Sequence, residues 1–287
     1  APQTAKRSFS AGSVISAIGR WIVRNRIYLI AFAIPAVLTY LAYALFGLYP
    51  FGEESVLCLD LNGQYVYYFE ALRDAFWGDG SIFYNWSRNL SGEFMGIIGY
   101  YLASPFTLIV MLLPEKFMLS SLLIMQLCKL GAAGATFNYF LQKRRGVQPY
   151  PSLLFSTMYA MMAYGVIQLI DPMWLDGLVF LPLIMLGIEY LVDDGRRLNF
   201  IIPLALMCVA NFYIGYMICF FVILYFLFYL CFGSDKKRKG YDYFTAFVRI
   251  AYSSVIALAC AAFMLLPVYN ALKLGKFEVT DPDYSFR

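Results

Sequence analysis

The sequence predicts an all-α polytopic membrane protein: a bundle of about seven transmembrane helices, with one long extracytoplasmic loop after the first. Three observations lead there. Of the 287 residues, 61% are hydrophobic and 14% charged. An ordinary soluble domain has roughly 45–50% apolar and about 25% charged residues, so this chain cannot cover its surface with polar groups. Its apolar runs recur at about the 20-residue length that a bilayer core requires. Its basic residues sort to one side once those runs are threaded across a membrane.

The elements follow in chain order. Residues 1–27 form a basic cytoplasmic N-terminus with Lys6, Arg7, Arg20, Arg24 and Arg26. The apolar run that follows is long enough to span rather than to serve as a cleavable signal core, and residues 28–48 are the first transmembrane helix. Residues 49–116 form the long extracytoplasmic loop. In it Asn62 can cap a helix that begins near Gly63 or Gln64. Tyr65, Tyr68, Phe69, Leu72 and Phe76 then share one face, with Glu70, Arg73 and Asp74 on the other. That spacing predicts an amphipathic helix lying on the outer leaflet. Six further transmembrane helices are expected in 117–268, at 117–141, 152–170, 176–193, 198–211, 215–233 and 245–268. Residues 269–287 return to the extracytoplasmic side.

The apolar run at 97–113, with Pro105 near its middle, is ambiguous by length alone, and charge decides it. If it does not cross, 15 of the 22 Lys and Arg face inward and 13 of the 18 Asp and Glu face outward. If it crosses, every later loop flips and the basic residues divide 9 inside to 12 outside. The positive-inside rule favours the first arrangement, with 97–113 re-entrant or lying in the interface.

Composition also bounds the chemistry. There is no His, which excludes zinc sites of the His type, His-based acid–base catalysis and Ser-His-Asp or Cys-His nucleophilic sites. The six Cys form no CxxC. A formal net charge of +4 is bland, and no nucleic-acid partner is expected. Proton transfer falls to Asp, Glu, Lys or Tyr.

Asp60 is a lone carboxylate in the apolar stretch Leu57-Cys58-Leu59-Asp60-Leu61-Asn62-Gly63-Gln64. It suits a general base on an acceptor hydroxyl, or equally a helix cap. Lys129 falls at the middle of the second span. An ammonium at that depth must pair or face water, so it either binds a phosphate or carboxylate of substrate or forms an ion pair with Asp171 or Asp176. Asp171 and Asp176 bracket an outer turn containing Trp174. Those acids suit a sugar hydroxyl or a divalent metal, or are merely solvated. Asn211 and Tyr213 lie in a second outer turn that suits sugar stacking and hydrogen bonding, or an interfacial aromatic belt. Arg88, in the long loop, suits bidentate phosphate binding or stands as a solvated surface charge.

The order and spacing of several segments resemble one family. They are Asp60 with Gln64-Tyr65, then Tyr100-Tyr101-Leu102-Ala103-Ser104-Pro105-Phe106, then Lys129, Trp174 through Pro182, and Asn211-Phe212-Tyr213-Ile214-Gly215-Tyr216-Met217. Together they resemble the YfhO-like bacterial membrane proteins from about residue 27 onward. The resemblance implies a GT-C-like bundle and a glycosyltransferase of the bacterial plasma membrane, with its N-terminus cytoplasmic and its active site extracytoplasmic. It implies an undecaprenyl-phosphate-linked sugar donor and a cell-wall polymer acceptor such as lipoteichoic acid. Asp60 occupies the place of the essential carboxylate. Lys129, Arg88, Gln64, Tyr101, Asp171, Trp174, Asp176, Asn211 and Tyr213 are the candidates for binding donor phosphate or substrate. No cofactor is required, although a divalent metal is compatible. Family members are longer, so the chain is expected to continue in a larger parent protein. Two rivals remain, a lipid-linked sugar transporter or flippase and a non-catalytic assembly subunit. Against the first, the sequence shows no internal repeat and no matching pair of broken helices.

Overall fold

The computed structural model describes residues 11–86, 92–234, 236 and 239–275. Its helices are α1 (Ala11–Leu45), α2 (Val66–Trp77), α3 (Met95–Ile97), α4 (Thr107–Leu112), α5 (Met118–Arg144), α6 (Pro149–Ala160), α7 (Ala163–Ile167), α8 (Leu175–Asp194), α9 (Leu198–Ala210), α10 (Phe212–Phe228) and α11 (Gly240–Gly275). A two-stranded antiparallel ribbon, β1 (Tyr84–Asn85) with β2 (Gly92–Glu93), is the strand content among the described residues. The protein is an all-α polytopic membrane protein.

Five helical stretches are long and apolar enough to cross a membrane: Ser16–Leu45, Glu115–Arg144, Pro172–Asp194, Phe212–Gly233 and Gly240–Lys273. The two other expected spans are shorter. The run at 152–170 splits into α6 and α7, because Met162 adopts an extended backbone between them. The 13 residues of α9 rise only about 20 Å, less than the ~30 Å hydrocarbon core.

Contacts nevertheless carry the chain seven times between two ends of the bundle. One end, the basic end, gathers Arg144, Asp193 and Lys236. The other, the loop end, gathers Tyr65, Asp171, Tyr100 and Asn211. The first helix runs antiparallel to α5, with Tyr28 against Tyr139 near the basic end and Tyr49 bonded to Ser120 near the loop end. The split pass holds to α5 through Asn138, which donates to Ser152 and Ser156. Gly134 permits the close approach of α5 to α1: a Cβ there would sit 2.5 Å from the Ala31 carbonyl oxygen.

The long loop packs on the protein through its own apolar face. Val66, Phe69 and Leu72 of α2 join Phe94, Ile97, Leu102 and Val110 in one buried cluster. Two expected placements change. Phe76 is exposed rather than on the buried face. Arg73, expected on the polar face, donates to the Val110 and Leu113 carbonyls, each at 2.5 Å, and so closes the end of α4. Residues 95–112 form no single helix. The segment bends at Ala103–Phe106 around Pro105, as Pro disfavours the helical conformation in the residue before it.

Candidate functional site

The loop after α1 turns sharply at Leu59, whose φ of 47° lies in the left-handed region. A non-glycine residue held there costs on the order of 1–3 kcal/mol and is a recurrent mark of functional sites. The turn presents Asp60 at the start of a π-helical turn, Leu61–Tyr65, which leads into α2. The Asp60 carboxylate makes no capping bond to that helix. It is exposed and lies 3.4 Å from the Tyr65 hydroxyl. The same hydroxyl donates to Asp171 at 2.8 Å. One buried phenol therefore links two carboxylates 111 positions apart in the chain. Burial, and then the bond to Asp171, push the Tyr65 pKa above its ordinary value, so it stays a donor.

A second π-helical turn, Ile98–Leu102, faces the first. It supplies Tyr100 and Tyr101, whose rings lie 4.5 Å apart. Tyr101 meets both Tyr65 and Tyr68 at 5.1 Å. Tyr100 meets Tyr213 at 5.8 Å, and Tyr213 meets Trp174 at 6.4 Å. The result is an aromatic frame around the Tyr65 carboxylate bridge, built from four distant segments. Gln64 stands exposed on the first π turn. Widened turns of this kind displace the residues after them from regular helical register.

The remaining candidates support this frame. Asn211 is fully buried. Its Oδ1 caps α10 by accepting from the Ile214 N–H at 2.8 Å, and its Nδ2 donates to the Tyr100 carbonyl at 2.7 Å. Lys129 and Asp176 are also buried, and they pair at 2.7 Å. Lys129 donates as well to the Pro172 carbonyl at 2.8 Å, and Gln126, one turn earlier on α5, donates to the Leu169 carbonyl at 2.6 Å. Both sides of the Asp171 turn are thus clamped to α5. Ser104, at the break between α3 and α4, completes the set by donating to Asp176 at 2.8 Å.

Of the two readings of Lys129, then, the geometry matches the ion pair and not a phosphate ligand. The acids of the 171–176 turn do not converge on a metal: Asp171 faces Tyr65 and Asp176 faces Lys129. Among the described residues no group of three or more Asp, Glu or Cys gathers where it could hold a metal ion. Arg88 lies outside the described residues.

One cluster lies outside the residues that the sequence pattern singles out. At the basic end Glu189, fully buried, accepts from Arg144 at 2.9 Å, Arg145 at 2.6 Å and Tyr225 at 2.5 Å. Arg144 also pairs with Asp193 and donates to Tyr229 at 2.6 Å. The signal was available: Glu189 is an acid inside an apolar run, as unusual there as Lys129. The cluster fastens α5, α8 and α10 far from Asp60.

A family model described as "Bacterial membrane protein YfhO" matches residues 31–286. A Bacillus subtilis (strain 168) protein named "Uncharacterized protein YfhO" is 27% identical over 168 residues, which is 52% of this chain and 19% of that protein. The chain thus spans less than a fifth of the curated relative that it matches. No solved structure matches.

Proposed function

The chain belongs to the YfhO family of bacterial membrane proteins, and from that premise we propose that it is a GT-C-type glycosyltransferase. It moves a sugar from an undecaprenyl-phosphate-linked donor to an extracytoplasmic cell-wall polymer such as lipoteichoic acid. The observation that carries this reading is the exposed Asp60 carboxylate, tied through Tyr65 to Asp171 and framed by tyrosines and Trp174. Carboxylates accept sugar hydroxyl protons, and aromatic faces stack on sugar C–H faces.

In the reaction the acceptor oxygen attacks the anomeric carbon of the donor. Its proton passes to Asp60 as the new glycosidic C–O bond forms. The bond from the anomeric carbon to the phosphate oxygen breaks, and prenyl phosphate leaves with the electron pair. Tyr65 holds Asp60 and Asp171 in a fixed relation, so the base is aimed before substrate arrives. Lys129 acts through Pro172 and Asp176 as a positioning residue. Arg88 is assigned to the leaving phosphate, where a guanidinium offers bidentate donors.

The test is transfer of labelled sugar from undecaprenyl-phosphate donor by the protein in membranes. Asp60→Asn removes the base without changing shape and should slow transfer by about 10²–10⁴-fold. Transfer at the parental rate by that variant would sink the assignment. Because Asp60 is exposed and caps nothing, the variant should remain folded, which its melting temperature checks.

A further inference from the structure

The polar face of α2 builds a second feature on the long loop, distinct from the Asp60 bridge. Tyr67, Glu70, Ala71 and Asp74 follow one another at helical spacing, while Tyr65, Phe69 and Leu72 turn to the protein interior. After α2 the chain folds back, with the N–H groups of Gly78 and Gly80 both donating to the Asp74 carbonyl. Only glycine fits at position 80, where a Cβ would lie 2.8 Å from the Ala75 backbone nitrogen. The returning strand β1 then stands opposite the helix. Between them lies a cleft of about 440 Å³, whose lining includes Tyr67, Glu70, Asp74, Asp79, Tyr84 and Trp86.

Three carboxylates and three aromatic rings therefore line the cleft, and among the described residues no Lys or Arg does. Trp86 is 81% exposed. It stands edge-on to Tyr84, with ring centroids 4.9 Å apart and planes at 73°. A large ring left this open, with a second ring bracing it, offers a flat apolar platform. The acids are not gathered as a metal cage. Glu70 adds weight to the crowding of negative charge: burial, then the nearby Glu115 and Asp74 carboxylates, raise its pKa above the ordinary value.

We propose that this cleft binds an uncharged sugar unit of the acceptor, its C–H face stacked on the rings and its hydroxyls donating to the carboxylates. Charge-assisted bonds from hydroxyl to carboxylate are the strong kind, and the same carboxylates repel phosphate or carboxylate substituents. Tyr67 begins seven residues beyond Asp60, roughly 10 Å of helical rise. The cleft is thus a place separate from Asp60, and a sugar seated there does not need the Asp60 carboxylate. The cleft's role as an acceptor site rests on the transferase reading; its ability to bind sugar does not.

The experiment is titration of the full chain in lipid nanodiscs with maltotriose, cellotriose and chitotriose, against maltose and its 6-phosphate. Saturation-transfer NMR and tryptophan fluorescence are the readouts. At least one neutral trisaccharide should bind saturably, and the phosphate should weaken binding of maltose about tenfold or more. Trp86→Ala and Asp79→Asn should each weaken trisaccharide binding about tenfold, while Asp60→Asn leaves it unchanged. The proposal is overturned if no member of the panel binds, if binding survives both cleft substitutions, or if Asp60→Asn abolishes it. It is equally overturned if Trp86→Ala alters only attachment to lipid. Normal transfer by Asp60→Asn alongside intact cleft binding would instead defeat the transferase reading alone.

Discussion

Tyr65 and Lys129 carry the site in different ways. The Tyr65 hydroxyl is shared between Asp60 and Asp171. Tyr65→Phe keeps the ring contact with Tyr101 and loses only that link. It should lower sugar transfer by roughly 10–100-fold while leaving the melting temperature nearly unchanged, since a single hydrogen bond contributes about 1 kcal/mol. Because its pKa is raised, Tyr65 should form no tyrosinate up to about pH 10, the ordinary tyrosine value. A difference titration at the tyrosinate absorbance, parent against Tyr65→Phe, checks this. The prediction for Lys129 concerns stability. Lys129→Met strands the buried Asp176 carboxylate and should cost about 3–5 kcal/mol. The pair Lys129→Met with Asp176→Leu should recover most of that loss in thermal melts, because two apolar side chains strand no charge. A single variant no less stable than the parent would show that the ion pair is not formed.

At the scale of elements, the two π turns and the two broken segments bring the candidate site residues together. Apolar periodicity located α2 and its buried Phe69 and Leu72, because a 3.6-residue repeat is visible in a single sequence. It did not reveal that the first turn of that helix is wide, nor that a second wide turn would meet it. Such turns depend on tyrosine packing between segments remote in the chain. The same holds for Asp60, which local spacing left divided between cap and base: it makes no capping bond and meets Tyr65, a contact that no local spacing records. Close helix contact is equally an element property. Gly134→Leu would drive a branched side chain against the Ala31 carbonyl. It should part α5 from α1 and lower the melting temperature by several degrees, a loss of about 1–3 kcal/mol from overpacking.

Across the whole molecule, seven passes leave Asp60 and the Arg144–Glu189 cluster at opposite ends. From the excess of Lys and Arg near the basic end, the proposed orientation puts that end in the cytoplasm. Cys58 is exposed beside Asp60, and Tyr150 is exposed near the basic end. In variants whose other native cysteines are replaced, Cys58 should react with a membrane-impermeant maleimide in intact cells. A cysteine placed by Tyr150→Cys should react only after permeabilisation. The reverse pattern would invert the molecule and remove Asp60 from any extracytoplasmic acceptor. What the sequence determined by itself was the class of the protein, an all-α polytopic membrane protein. Apolar run length and the side on which charges gather are local or additive properties, and bilayer physics reads them one segment at a time. What only the tertiary structure decided was which scarce polar groups meet: Asp171 with Tyr65, Asp176 with Lys129, and Asn211 with Tyr100. In an apolar interior each such group must find a partner. Which partner it finds is set by how helices distant in the chain pack, and no spacing along the chain records that.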